Sequence, residues 1–179
     1  MTGRPIPFRA DMTQAILDGR KTQTRRVVKL AHFGPSETPG YDWTWRGHAP
    51  IRSYARQLRY PDGCWQDVSH EKLLSICPYG QPGDLLWTKR QRFQRKADAA
   101  AWLEVVAVRV ERLRDIQWYD IRAEGVDCPE HDGPGVFCTG ECPLLRHAFS
   151  VLWDDINEKR GYPLDSNPWC WVISFRRID

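Results

Sequence analysis

Residues 11–26 read DMTQAILDGRKTQTRR. The first half has the period of a short amphipathic helix, with Met12, Ala15 and Ile16 on one face. Asp11 stands where a carboxylate can cap the helix N-terminus. Gly19 stands where a left-handed residue can end the helix. The second half sets four cations, Arg20, Lys21, Arg25 and Arg26, within seven residues, with Thr22, Gln23 and Thr24 between them. If extended, it sends Thr22, Thr24 and Arg26 to one side and Lys21, Gln23 and Arg25 to the other. A turn at the helix end would instead bring Lys21 toward Thr24. A lysine amine beside a hydroxyl holds an anion or, when neutral, activates the hydroxyl as a nucleophile. The same residues also suit a solvated basic helix end that complements the helix dipole.

Gly19, Lys21, Thr24 and Arg26, within GRKTQTRR, resemble the ASCH domain signature G-x-K-x-x-[E/T]-x-R. The flanking stretches RPIPFRADM, CPYGQPGDLLW and SNPWCWVISF resemble a prophage-borne subgroup of that family. The resemblance implies an α+β, PUA-like fold: a mixed, partly open β-barrel with flanking helices. It also implies work on RNA or on a modified nucleobase or nucleoside. One small bacterial branch consists of acetylcytidine amidohydrolases. The lysine, threonine and glutamate proposed to act there match Lys21, Thr24 and Glu124. Many other ASCH proteins carry Glu where this chain has Thr24. A third function, a phage-encoded regulator that binds a host protein, follows from the prophage likeness.

Lys21, Thr24 and Glu124 make chemical sense as a group. A threonine hydroxyl needs a neighbouring base before it attacks. Lysine is that base only when burial or nearby cations lower its pKa, and Arg20, Arg25 and Arg26 are close in sequence. Glutamate would orient the amine or pass a proton to a leaving amine. Equally, Lys21 and Glu124 would form a plain ion pair. For ligand binding the expected residues are Arg20, Arg25, Arg26, Trp87, Lys89 and Arg90. RNA or a modified nucleoside is the expected partner, with DNA also open.

The 179 residues suit one domain with elaborations, 1–179, long enough for a proper core. Net charge is +3, unevenly spread: residues 1–60 carry 11 Lys and Arg against 4 Asp and Glu, or +7, and the remainder carries −4. A basic first third suits a polyanion. Nine Trp supply core and potential stacking surface. No apolar run has membrane-span length, so no membrane partner is expected. The N-terminal MTGRPIPFRAD lacks a signal-peptide core. The expectation is a cytoplasmic protein whose six Cys are thiols or metal ligands.

Along the chain, residues 4–9 with Pro5 and Pro7 predict an edge strand. Val27 and Val28 extend the motif as a strand. Residues 31–82 predict a long insertion within the same domain, containing a hairpin around the alternating Tyr41–Arg46. Pro82–Gly83–Asp84 predicts a turn, followed by a strand at Leu85–Thr88. A basic run, Lys89, Arg90, Arg92, Arg95 and Lys96, surrounds Phe93. It reads as a phosphate path or as a solvated edge. WLEVVAVRVERL (102–113) predicts a strand in which Val106, Val108 and Val110 share a face. Residues 115–124 predict a helix with Ile116, Tyr119 and Ala123 inward and Gly125 as its stop. Residues 143–160 predict a helix with Leu145, Ala148, Phe149, Leu152 and Ile156 buried and Gly161 as its stop. Residues 169–178 predict the closing strand.

One further motif stands apart. Cys128, His131, Cys138 and Cys142 follow C-x2-H-x6-C-x3-C in a Gly/Pro-rich stretch too short to bury a core. Four soft donors in this spacing predict a tetrahedral structural zinc in a loop spanning 126–143. Four incidental surface groups are the alternative. Cys64, Cys77 and Cys170 read as small apolar packers.

Overall fold

The computed structural model describes residues 3–29, 43–45, 56–59, 65–68, 74–128 and 142–178. The chain divides into two compact units, Met1–Val28 with Gln81–Asp179, and Lys29–Gly80. Residues 31–82, expected as an insertion within a single domain, overlap the second of these units.

The larger unit is built on five strands: β1 (Arg4–Pro7), β2 (Gln23–Val27), β6 (Leu85–Lys89), β7 (Trp102–Arg112) and β8 (Trp169–Ile178). Their order is β1-β6-β7-β8-β2. Only β1 and β6 run parallel; the other pairs are antiparallel. Three α-helices flank this sheet: α1 (Ala10–Leu17), α2 (Trp118–Ala123) and α3 (Pro143–Asn157). The smaller unit holds the antiparallel sheet β3 (Trp43–Trp45), β4 (Arg56–Arg59) and β5 (Trp65–Val68). The α+β class and the mixed sheet are as expected. The barrel is not closed: β1 and β2 are the two ends of the five-strand sheet. Pro5 and Pro7 sit on the edge strand, where a missing N–H breaks no ladder. No described helix is long and apolar enough to cross a membrane.

The core follows from strand alternation. Leu86, Leu103, Val105, Trp171, Ile173 and Phe175 are buried together with Ile6, Ala15 and Ile16. A second cluster joins Leu113, Ile116, Ile121, Val126, Cys128, Leu145, Phe149, Trp153 and Cys170. At Val106 the expected alternation breaks. The pairing of β7 with β8 shifts register between Val105 and Ala107, a β-bulge. One extra residue inverts the faces, so Val105 is buried and Val106 is 54% exposed.

Three local expectations are corrected. The N-cap of α1 is Arg9, without a side-chain cap, and Asp11 lies within the first turn. Its carboxylate still accepts the Met12 N–H and favours the helix dipole. Tyr119, expected inward on α2, is exposed; Asp120 and Ile121 are buried in its place. On α3 the buried stripe is Leu145, Phe149 and Trp153. Trp153 stays in register because its indole N–H donates to the Tyr162 carbonyl.

Candidate functional site

Lys21 is positioned by the way α1 ends. Gly19 takes φ +76°, and the N–H groups of Arg20 and Lys21 both donate to the Ala15 carbonyl. The chain then runs outward beside the end of α2: Lys21 bridges Glu124, and the Thr22 N–H donates to the Ala123 carbonyl. Glu124 is the C-cap of α2, and Gly125 follows at φ +80°. Lys21 Nζ donates to the Glu124 carbonyl oxygen at 2.6 Å and to Glu124 Oε2 at 2.9 Å. Both side chains are buried, 3% and 7% exposed. A carboxylate at a helix C-terminus is disfavoured by the dipole; here two cations hold it.

The second cation is Arg25, with a side chain 1% exposed. It donates to Glu124 Oε1 at 3.3 Å, to Glu111 Oε2 at 3.1 Å and to Asp120 Oδ2 at 3.1 Å. Arg109 completes the set. It donates to Asp120 Oδ1 at 2.8 Å and to Gln23 Oε1 at 3.1 Å, and pairs with Glu111. Lys21, Arg25 and Arg109 therefore face Glu111, Asp120 and Glu124, and the charges balance. Such balance is what a buried ionic group requires. Burial pushes the Lys21 ammonium below the ordinary lysine range; Glu124 opposes this, and Arg26 and Arg25 add to it. Burial raises the Asp120 carboxyl, but Arg25 and Arg109 outweigh it and hold it below the ordinary range.

Arg26 lies on the opposite face of β2 from Arg25. Its guanidinium donates to the Pro7 carbonyl and lies 5.1 Å from the centre of the Phe8 ring. Lys21 Nζ lies 5.8 Å from the same ring centre. Phe8 is packed edge-on against Phe175. Pro7 and Lys89 are partners across β1 and β6. Lys21, Arg26 and Phe8 thus bring the two ends of the open sheet together through side chains. Thr24 shares the Arg26 face by alternation and is 4% exposed. Among the described residues its hydroxyl makes no hydrogen bond.

The structure is similar to that of an ASCH domain. The ASCH domain from Lactobacillus crispatus JV V101 superposes with a TM-score of 0.48 at 10% identity, over 98% of this chain and 79% of that one. Protein EF3133 from Enterococcus faecalis V583, of family model DUF984, gives 0.49 at 11% identity, over 100% and 77%. The hypothetical protein PH0355 gives 0.41 at 12% identity, over 99% and 100%. No family model matches the sequence, and no curated protein does.

The other expected site residues fall in different places. Arg25 is buried and held by three carboxylates, so its guanidinium does not face a phosphate. Trp87 is 7% exposed within the core and presents no face for stacking. Arg20 is exposed and paired with Asp18 and Asp127. Arg90 is exposed, its backbone N–H bonded to the Gln94 side chain. Cys128 and Cys142 lie 3.8 Å apart, sulfur to sulfur, whereas His131 and Cys138 lie outside the described residues. Among the described residues no group of three or more metal-donor side chains forms. The sequence reading missed Phe8, Asp120, Glu111 and Arg109. Phe8 carried a signal, an aromatic directly after a Pro-bounded edge strand. Arg109 and Glu111 carried one too, charges alternating along an otherwise apolar strand.

Proposed function

We propose that this chain binds an unstacked base of RNA, or a modified nucleoside, in a basic cleft around Gly19–Arg26. The observation that carries this reading is the convergence of Lys21 and Arg26 on the ring of Phe8. Arginine planes stack on bases and pair with phosphate, which is how single-stranded RNA is gripped. Lys21 has three N–H donors, two of which go to Glu124. The third serves a carbonyl oxygen of the base. Fluorescence titration of a short single-stranded RNA at several salt concentrations tests this. Arg26→Ala should weaken binding and reduce the salt slope by about 1, one phosphate contact. An unchanged slope and affinity would place the nucleic acid elsewhere.

A second reading is favoured by one observation, the burial that pushes the Lys21 ammonium down. A lysine that gives up its proton more readily is suited to be a base. In this reading the chain removes an acyl group from the exocyclic amine of cytidine. Lys21 takes the Thr24 proton, the hydroxyl oxygen attacks the amide carbonyl, and the amine leaves with a proton returned by Lys21. Water then hydrolyses the ester. Acetylcytidine incubated with the protein should yield cytidine by mass spectrometry. Thr24→Ser should retain turnover and Thr24→Val should lose it. Binding without turnover would leave the first reading standing alone.

A further inference from the structure

We propose that the loop between β6 and β7 is a second contact for single-stranded RNA, in which Phe93 stacks on a base while Arg90 and Arg92 pair with phosphates. The inference rests on the reading that the cleft at Phe8 holds one base of that RNA. It makes the ligand a strand rather than a lone nucleoside. Phe93 is 88% exposed, the most exposed of the large apolar side chains described. Apolar side chains stabilise a fold by leaving water, and this ring stays in it. The Arg92 guanidinium lies 5.5 Å from the ring centre.

The loop is ordered by its own hydrogen bonds. At its base Thr88 is fully buried. The Thr88 N–H donates to the Ala101 carbonyl and the Ala101 N–H donates to the Thr88 hydroxyl oxygen, each at 3.0 Å. Across its middle, Gln94 Oε1 accepts the Arg90 N–H at 2.6 Å, and Gln94 Nε2 donates to the Asp98 carbonyl at 2.8 Å. A loop arranged in advance offers its ring and cations without an ordering cost at binding. The charge around the ring is one-sided. Arg4, Arg20, Arg114 and Arg176 each pair with a carboxylate. Lys89, Arg90 and Arg92 pair with none among the described residues. Cations beside an exposed ring match a partner that offers phosphates and π-faces together. A membrane surface also offers anions, but an interfacial segment needs a broad apolar face, and the chain neighbours of Phe93 are Arg92 and Gln94. The loop also starts at the cleft. Pro7 and Lys89 are strand partners, and the Phe8 N–H donates to the Lys89 carbonyl at 3.1 Å. Phe93 follows Lys89 by four residues, at most about 15 Å in Cα steps. About four stacked nucleotides cover that distance, so one short strand reaches both rings.

The test is fluorescence anisotropy of the full chain with a labelled, mixed-sequence single-stranded RNA of about twelve nucleotides. Phe93→Ala should weaken binding about tenfold or more, the loss of one base–aromatic stack, and Phe93→Trp should keep it. Replacing Arg90 and Arg92 together by Ala should lower the salt slope by about 2, one phosphate each. Affinity for free acetylcytidine, measured by calorimetry, should stay at the wild-type value in all of these variants. Phe93 faces solvent, so its replacement should leave the Tm unchanged. RNA affinity that is unchanged in Phe93→Ala but falls in Arg26→Ala would overturn the role of the loop and leave the cleft standing. RNA affinity unchanged in both, or no RNA binding by the wild type, would overturn both. An equal loss of RNA and free nucleoside in Phe93→Ala would overturn the second contact, because the ring would then belong to the cleft itself. Phe93-dependent binding to vesicles containing phosphatidylserine, with RNA binding intact in Phe93→Ala, would overturn it in favour of a membrane surface.

Discussion

At Gly125 the backbone φ is +80°, and an added Cβ would lie 2.9 Å from Lys21 Cβ and 3.2 Å from Ala15 Cβ. A side chain there requires the base of the Lys21 side chain to shift. Gly161 makes a natural control: its φ is +85°, and nothing lies within 4 Å of the Cβ position. Both positions carry the conformational cost of a left-handed L-residue, about 1–2 kcal/mol. Gly125→Ala should therefore destabilise clearly more than Gly161→Ala in urea denaturation, and it should also lower ligand affinity. Equal losses in the two variants would mean that Lys21 adjusts without consequence. At this scale the sequence was half legible. The motif pointed to Lys21, the family resemblance to Glu124, and the two meet as an ion pair. It did not separate Arg25 from Arg26, because alternation along QTRR assigns opposite faces without saying which is buried. That choice is made by Asp120 and Glu111, which lie some 90 residues away along the chain and carry no local signal of the pairing.

At the scale of elements, β2, β7 and α2 are tied together by the six balanced charges, and two of them make opposite contributions as pH changes. The Asp120 carboxyl is held below its unfolded value, about 3.9, because Arg25 and Arg109 outweigh burial. Its contribution is thus in full above that unfolded value and is lost as pH falls through the folded value. The Lys21 ammonium is lowered by burial. Its folded form binds a proton less readily than the unfolded chain, so it costs stability at neutral pH, and the cost fades as pH rises toward about 10.4. Measured from pH 2 to 6, unfolding free energy should fall in acid, and Asp120→Asn should flatten that fall. An identical acid slope in the variant would remove Asp120 from the account. These elements were legible where a period persists, as in β7 and α3. They were less so where one residue changes the phase. The bulge at Val106 is an effect of pairing with β8, and a sequence window across β7 contains no trace of it.

At the scale of the molecule, all five strands of the main sheet, the three helices and the Lys21–Glu124 contact belong to one compact unit, while residues 29–80 form the other. The insertion was legible as irregular composition between two strands. Its own compactness was not, since scattered Trp and Tyr name apolar residues without showing which of them meet. Among the described residues, the apolar cluster around Leu113, Leu145 and Trp153 draws on none from 29–80. A chain in which residues 29–80 are replaced by a Gly/Ser linker of about a dozen residues, which reaches about 20 Å, should therefore fold. Its far-ultraviolet dichroism should keep the signal of a mixed sheet with helices, and its urea transition should stay cooperative with a smaller m-value, because less surface is exposed on unfolding. The same variant also bears on function. If Lys21, Arg26 and Phe8 suffice to bind a nucleoside, affinity for the free nucleoside should survive the replacement. Loss of the cooperative transition would show that the larger unit needs the smaller one in order to fold.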